Sequence, residues 1–254
     1  MFHFQILGCS KCSKEFPRQT IDGGKTKGDF SGFNRNSWIA RDPTAHKRIA
    51  ELARNAKTQT EQKQTESTGA RWTDLFRLEY FNPISGHAID PMHCMFLGIA
   101  KHMMKLYTKT GIIDKHGLAK VQQHMDSFRV PSSIGRIPQK IASGFSSFTA
   151  DQWKNWTMIF SSVVLKPVLP DKHYKVWLKF AHATSLLARK VLSQADIELA
   201  DQLLVRFCGD VEQTYGTAAI TPNFHMICHL ADVIKEQGPV YSFWCFSFER
   251  YVKL

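Results

Sequence analysis

Apolar residues recur at intervals of three and four in many segments of this chain, and convincing alternation at intervals of two is nearly absent. That spacing puts them on one face of a helix and denies them a face of a strand, so the chain is expected to be mainly α. Ile49, Leu52, Ala53 and Ala56 predict a helix from Thr44 to about Lys63. Met95, Phe96, Ile99, Met103 and Leu106 predict another after Asp90-Pro91, a pair suited to the N-cap and first helical position. Further helices are expected at 115–128, Thr149–Val164, Lys172–Leu192, Ser193–Tyr215, Asn223–Glu236 and Phe243–Val252, bounded by Thr149, Pro170-Asp171, Thr221-Pro222 and Gly238-Pro239. Residues 1–45 read as irregular, with one short strand at Phe2–Leu7. Residues 57–69 are polar and low in complexity, either the frayed end of the first helix or a solvated linker. FNPISG within 71–89 signals a turn, and 130–145, punctuated by Pro and Gly, reads as an extended loop.

The 254 residues suffice for one large domain or two small ones. Apolar residues make up 43% and charged residues 22%, a globular rather than a disordered balance. No run of 18 apolar residues is present, so no membrane-spanning helix is expected, and MFHFQILGCSKCSKEF lacks the pattern of a secretion signal. A formal charge of +11 favours an anionic partner such as nucleic acid. Without a secretion signal, the six cysteines are expected to be thiols or metal ligands rather than a disulfide framework.

Four groups of residues carry possible chemistry. Cys9-x2-Cys12 is half of a zinc site, since two thiolates on a tight turn can reach one ion; two ordinary thiols fit the pattern as well. His225-x3-His229 projects two imidazoles from one helix face and supplies the other half of a Cys2His2 set, or is simply a pair on a partly buried face. Asp90 and His93 face the same way at a helix start, where Asp90 alone would serve as N-cap. Glu249 lies in the aromatic run YSFWCFSFERY, either as a metal ligand sheltered by Phe243, Trp244, Phe246, Phe248 and Tyr251 or as the partner of Arg250. Glycine-rich phosphate loops, HExxH and a nucleophile elbow are absent from the sequence.

In order along the chain stand GCSKC, KGDFSGFNRNSWIARDPTAHKRIA, AIDPMHCMFLGIAKHMMKLY, IGRIPQKIASGFSSFTADQWKNW and TPNFHMICHLADVIKEQGPVYSFWCFSFERY. This series resembles the transposases of CACTA-type (En/Spm-like, Tnp2-like) DNA transposons and, in outline, the catalytic core of the V(D)J recombinase. The resemblance implies an RNase H-like catalytic region of the DDE class, with two Asp and one Glu holding Mg²⁺ in an intact relative. It implies that Glu249 occupies the catalytic Glu position, and that Asp90 and His93 match an Asp-x-x-His signature near the active site and the DNA. It also implies that Cys9, Cys12, His225 and His229 build a structural Zn²⁺ site in the helical insertion. Duplex DNA is the implied partner and the nucleus the implied location. The family's two Asp residues precede its Cys-x-x-Cys, whereas only eight residues precede Cys9 and none is Asp or Glu. The expectation is therefore one transposase-derived domain fragment, 1–254, inactive in strand transfer by itself. It would consist of a Cys-x-x-Cys segment and polar linker at 1–70 and a helical body at 71–254. Its architecture would be the helical insertion and last core helix, with most of the β-sheet missing. The alternative is a DNA-binding or zinc-stabilised interaction remnant, in which Lys11, Lys14, Arg18, Lys25, Lys27, Arg136 and Lys140 are candidate phosphate contacts.

Overall fold

The structure, a computed structural model, describes residues 8–251. Helix accounts for 62% of the described residues and strand for 3%, so the protein is mainly α. The strand expected at Phe2–Leu7 and the end of the helix expected at Val252 lie outside the described residues. The chain divides into two compact units, one running through Ala88 and including Tyr215–Pro222, the other comprising Ile89–Thr214 and the residues from Asn223 onward.

The first unit contains a hairpin that apolar spacing did not announce. Arg18–Thr20 pairs antiparallel with Thr26–Gly28, in the register Arg18↔Gly28, Gln19↔Lys27 and Thr20↔Thr26. Its reversal uses Gly23 and Gly24, both at positive φ (78° and 73°), where a side chain would be strained. Segment 215–222 joins this unit through specific bonds. Thr217 Oγ1 donates to Gln19 Oε1 (2.8 Å), and Lys27 Nζ donates to the carbonyls of Ala218 (2.6 Å) and Ile220 (3.0 Å).

The first helix spans Pro43–Asn55, with Asp42 accepting from the Ala45 N–H at 2.6 Å and Pro43 opening the first turn. Its buried residue is Ala50, whereas Leu52 is exposed. The helix stops at Asn55 instead of Lys63. The polar stretch after it forms its own helix, Gln59–Glu66, because Thr58 and Glu61 close a capping box.

The second unit holds the large apolar residues. Asp90 caps the turn at Pro91, and Met92–Ala100 follows in π-helical winding before Lys101–Lys109 continues as α-helix. Lys115–Ser127 is the next long helix, capped by Asp114. Residues 130–145 are less extended than expected, with short helical turns at Ser132–Ile134 and Ile141–Gly144. Buried Asn155 secures this segment by donating to the carbonyls of Ile134 (3.0 Å) and Arg136 (2.8 Å). Thr149 caps Ala150–Asn155 in a capping box with Gln152, and the chain continues through the π-helical turn Trp156–Phe160 into Ser161–Val164. Asp171–Leu187 and Gln194–Tyr215 are the longest helices, the former ending five residues short of the expected Leu192. Trp153, Trp156, Phe160, Trp177, Phe180, Phe207 and Phe224 fill the core, with Phe207 stacked on Phe224 at 5.7 Å between ring centroids.

The π-helical segment meets the Pro222–Ile227 helix at Gly98. A Cβ at position 98 would lie 2.3 Å from Asn223 Nδ2 and 2.9 Å from both Asn223 Cγ and the His93 carbonyl oxygen. Gly98→Ala should therefore destabilise the second unit by about 1–2 kcal/mol, since the overpacking exceeds the usual helical gain of alanine over glycine. Urea unfolding of the variant against the parent checks this, and an unchanged or stabilised variant would mean that Asn223 simply swings aside.

Candidate metal centre

Cys9 and Cys12 occupy a turn shaped by backbone pairing. Cys12 forms a β-bridge with Ala40, Ser13 N–H donates to the Ile39 carbonyl (2.9 Å), and Arg41 N–H donates to the Lys11 carbonyl (3.0 Å). Arg41 also turns its Nε onto the carbonyls of Cys9 (2.7 Å) and Cys12 (3.2 Å). The Lys11 N–H points at Cys9 Sγ at 3.3 Å, a contact that favours sulfur bearing negative charge. Both thiols are buried. The hydrogen bond from Cys9, then burial, then the charge of Cys9 push the Cys12 thiol far above its usual range, while the Lys14 backbone N–H and Arg41 pull it down only partly. Two thiolates this close need a cation between them to be stable together.

His225 and His229 belong to the other unit, and the expected single helix Asn223–Glu236 is broken between them. Pro222–Ile227 ends, Cys228 and His229 bond back to the carbonyls of His225 (3.2 Å) and Met226 (3.0 Å) in the tighter i→i+3 pattern, and Leu230–Gln237 begins anew. His229 Nε2 lies 3.3 Å from His225 Nε2, and both residues are buried. Two nitrogens bound to one tetrahedral ion at about 2.0–2.1 Å stand about 3.3–3.4 Å apart, so the pair has the spacing of two ligands on one metal.

One ligand atom from each of Cys9, Cys12, His225 and His229 lies within 4.8 Å of every other, and all four residues are buried. This buried cluster can hold a metal ion such as zinc. Two thiolates and two imidazoles form a soft, closed donor set with no carboxylate, which zinc favours over magnesium or calcium.

The remaining sequence candidates meet elsewhere in the second unit. Asp90 acts as the N-cap, its Oδ1 accepting from Met92 N–H (3.1 Å) and its Oδ2 from His93 N–H (3.0 Å). It also holds the His93 ring, Nδ1 to Oδ2, at 2.5 Å. On the far side of that ring, Nε2 lies 3.5 Å from Glu249 Oε1. Capping and the Asp–His pairing thus coexist. Of the two readings of Glu249, shelter among aromatics does not hold, because its side chain is 49% exposed, and Phe248 beside it is exposed.

Two contributors were not singled out by sequence. Cys245 donates its backbone N–H to Asp90 Oδ1 (2.9 Å), and its sulfur joins Asp90 and His93 in a second group with ligand atoms within 4.8 Å of one another. Its place one turn before Glu249 was the available signal. Arg41 gave none, because its partners lie 29 and 32 positions away. All six cysteines fall among the described residues and all are thiols. Cys208 and Cys228 are buried 3.8 Å apart, and both donate to the Phe224 carbonyl at 3.4 Å.

Several basic residues considered as phosphate contacts are committed internally. Lys11 is buried with Nζ on the Ile84 carbonyl (2.6 Å). Lys14 bonds the Ser31 and Gly32 carbonyls and lies over the Trp38 ring at 5.1 Å. Lys27 is held by the Ala218 and Ile220 carbonyls, and burial lowers its pKa. Arg18, Lys25, Arg136 and Lys140 are exposed. No helix among the described residues is long and apolar enough to cross a membrane.

No family model, curated protein or solved structure matches this chain.

Proposed function

We propose that the protein is the zinc-stabilised helical part of a CACTA-type DDE transposase catalytic region, and that it binds duplex DNA in the nucleus without performing strand transfer alone. The observation that carries this reading is the convergence of Cys9, Cys12, His225 and His229, because the family resemblance names the same four residues as one zinc set. Zinc held by four protein ligands has a closed shell and no position for substrate, so its contribution is to stability and not to the chemical step. Closing a chain segment of more than two hundred residues with one ion restricts the unfolded ensemble far more than a local turn would.

The RNase H-like architecture belongs to the same proposal. Transfer of a phosphodiester requires two divalent ions bridged by carboxylates. Among the described residues, neither group of potential ligands contains three carboxylates. Glu249 alone would leave Mg²⁺ with most of its water shell and weakly bound. DNA binding rests on the +11 charge and on the exposed Arg18, Lys25, Arg136 and Lys140.

The test pairs two measurements on the purified chain. Binding to a labelled duplex should weaken steeply between about 50 and 200 mM salt, with little sequence preference. Incubation of donor-end DNA with Mg²⁺ or Mn²⁺ should yield no nicks. Salt-independent binding would remove the DNA role, and nicking abolished by Glu249→Gln would overturn the inactive assignment.

A further inference from the structure

Three thiols stand round the start of the Pro222–Ile227 helix, and the Cys2His2 set uses none of them. Cys208 belongs to the Gln194–Tyr215 helix, and Cys228 lies at the break after Ile227. The Cys228 S–H points at the Cys208 sulfur, 3.8 Å away, and both thiols reach the Phe224 carbonyl at 3.4 Å. Cys94 donates to the neighbouring Asn223 carbonyl, also at 3.4 Å. All three are buried. Packing accounts for a buried thiol, whereas two sulfurs in contact add a possible reaction. A disulfide bond is about 2.05 Å long, so this pair needs to close by only about 1.8 Å. The spacing also suits two thiolates on one tetrahedral ion, which stand about 3.8 Å apart at about 2.3 Å from the metal. Such an ion needs further donors, and among the described residues neither group of potential ligands includes Cys208 or Cys228. Two sulfurs without a third donor are placed to bond to each other.

The backbone ties this pair to the metal set. Cys228 precedes His229, and its N–H donates to the His225 carbonyl at 3.2 Å. Phe224, whose carbonyl takes both S–H groups, precedes His225. An S–S bond removes both donors from that carbonyl and draws Cys228 toward the Gln194–Tyr215 helix, which moves the turn carrying both imidazoles. The Pro222–Ile227 helix has six residues, too few to hold that turn by its own backbone bonds. An ion shared by His225 and His229 opposes the movement.

We propose that Cys208 and Cys228 are an oxidation site, converted by hydrogen peroxide to a disulfide in the metal-free protein and kept as thiols by metal on His225 and His229. The metal control rests on the Cys2His2 reading; the pairing itself does not. One thiol takes an oxygen from the peroxide to become a sulfenic acid, and the other peroxide oxygen leaves as water. The second sulfur then attacks the sulfenic sulfur and expels its oxygen as a second water. Two thiols and one peroxide thus give one S–S bond and two waters, and the two electrons and two protons lost by the thiols reduce the O–O bond. Buried structural thiols are inert, so the reaction requires local opening around Phe224–His229. Metal bound only to the closed form makes that opening rarer.

The test exposes the reduced full chain to hydrogen peroxide, once stripped by chelator and once carrying one equivalent of Zn²⁺. Samples are quenched with N-ethylmaleimide, digested with trypsin and read by mass spectrometry. No Lys or Arg lies between Phe207 and Ile234, so both cysteines fall in the single fragment Phe207–Lys235. From stripped protein this fragment should lose two hydrogens and take up no maleimide, and dithiothreitol should restore both labelling sites. With zinc bound, the link should form at least about tenfold more slowly. No link in the stripped chain, or a link from Cys94 in its place, would overturn the pairing. Equal rates in the two states, with zinc shown by equilibrium dialysis to be bound, would overturn the metal control. Absence of bound zinc would instead remove the Cys2His2 reading and the metal control with it, and leave the pairing standing.

Discussion

Stripping the protein with a strong chelator is expected to lower its first thermal transition by roughly 10 °C. An ion bound to the folded chain at a thousand times its Kd adds about 4 kcal/mol, and a chain of this size shifts by about 2–4 °C per kcal/mol. Cys12→Ser should reproduce the loss without chelator, because a hydroxyl is a poor zinc ligand and the buried turn offers no replacement thiolate. His225→Ala should do the same from the other side of the cluster. Adding chelator to either variant should then change nothing more, and this non-additivity identifies the ion as the common cause. Equal chelator sensitivity in parent and variants would assign the effect to a different metal.

The second large effect is expected at Trp177. The ring is fully buried against Phe180, and its Nε1 donates to Ser161 Oγ at 2.8 Å. Ser161 in turn donates to the Thr157 carbonyl (3.0 Å), and Thr157 to that of Trp153 (2.8 Å), so the indole caps a line of hydroxyl bonds along the neighbouring helix. Trp177→Ala should cost about 3–5 kcal/mol from the cavity alone. Trp177→Phe should cost less, since most of the ring volume stays. A double-mutant cycle with Ser161→Ala should show a coupling of about 1 kcal/mol, because Ser161→Ala leaves a buried N–H without its acceptor only while the indole is present. Urea unfolding of the four proteins measures it. A coupling near zero would mean that the hydroxyl line contributes nothing beyond packing.

Helix existence was legible wherever a cap preceded an apolar stripe. Thr149, Asp90-Pro91 and the Gln194–Tyr215 stripe are examples, since caps and spacing act within a few residues. The π-helical winding of Met92–Ala100 and Trp156–Phe160 was not legible. A change from i→i+4 to i→i+5 bonding is settled by what packs against the turn, as Asn223 does at Gly98. The hairpin escaped notice because three-residue polar strands such as Arg18–Thr20 carry no alternation. Each half of the Cys2His2 set was visible as a short-range pair, but joining Cys12 to His225 across 213 positions needed the family resemblance. The interruption of the helix at Cys228–His229 was not legible, since no Gly or Pro marks the point. At the Asp90 group, the Asp-x-x-His spacing was readable, whereas Glu249 beside His93 depends on a contact 156 positions long.

The most direct test of the account is X-ray absorption at the zinc edge on protein carrying one equivalent of zinc. It predicts a four-coordinate shell with two sulfurs at about 2.3 Å and two imidazole nitrogens at about 2.0 Å. The sulfur contribution should halve in Cys12→Ser, and the imidazole contribution should fall in His225→Ala. A shell of oxygen and nitrogen alone, or one unchanged by both substitutions, would contradict the proposal that Cys9, Cys12, His225 and His229 hold zinc.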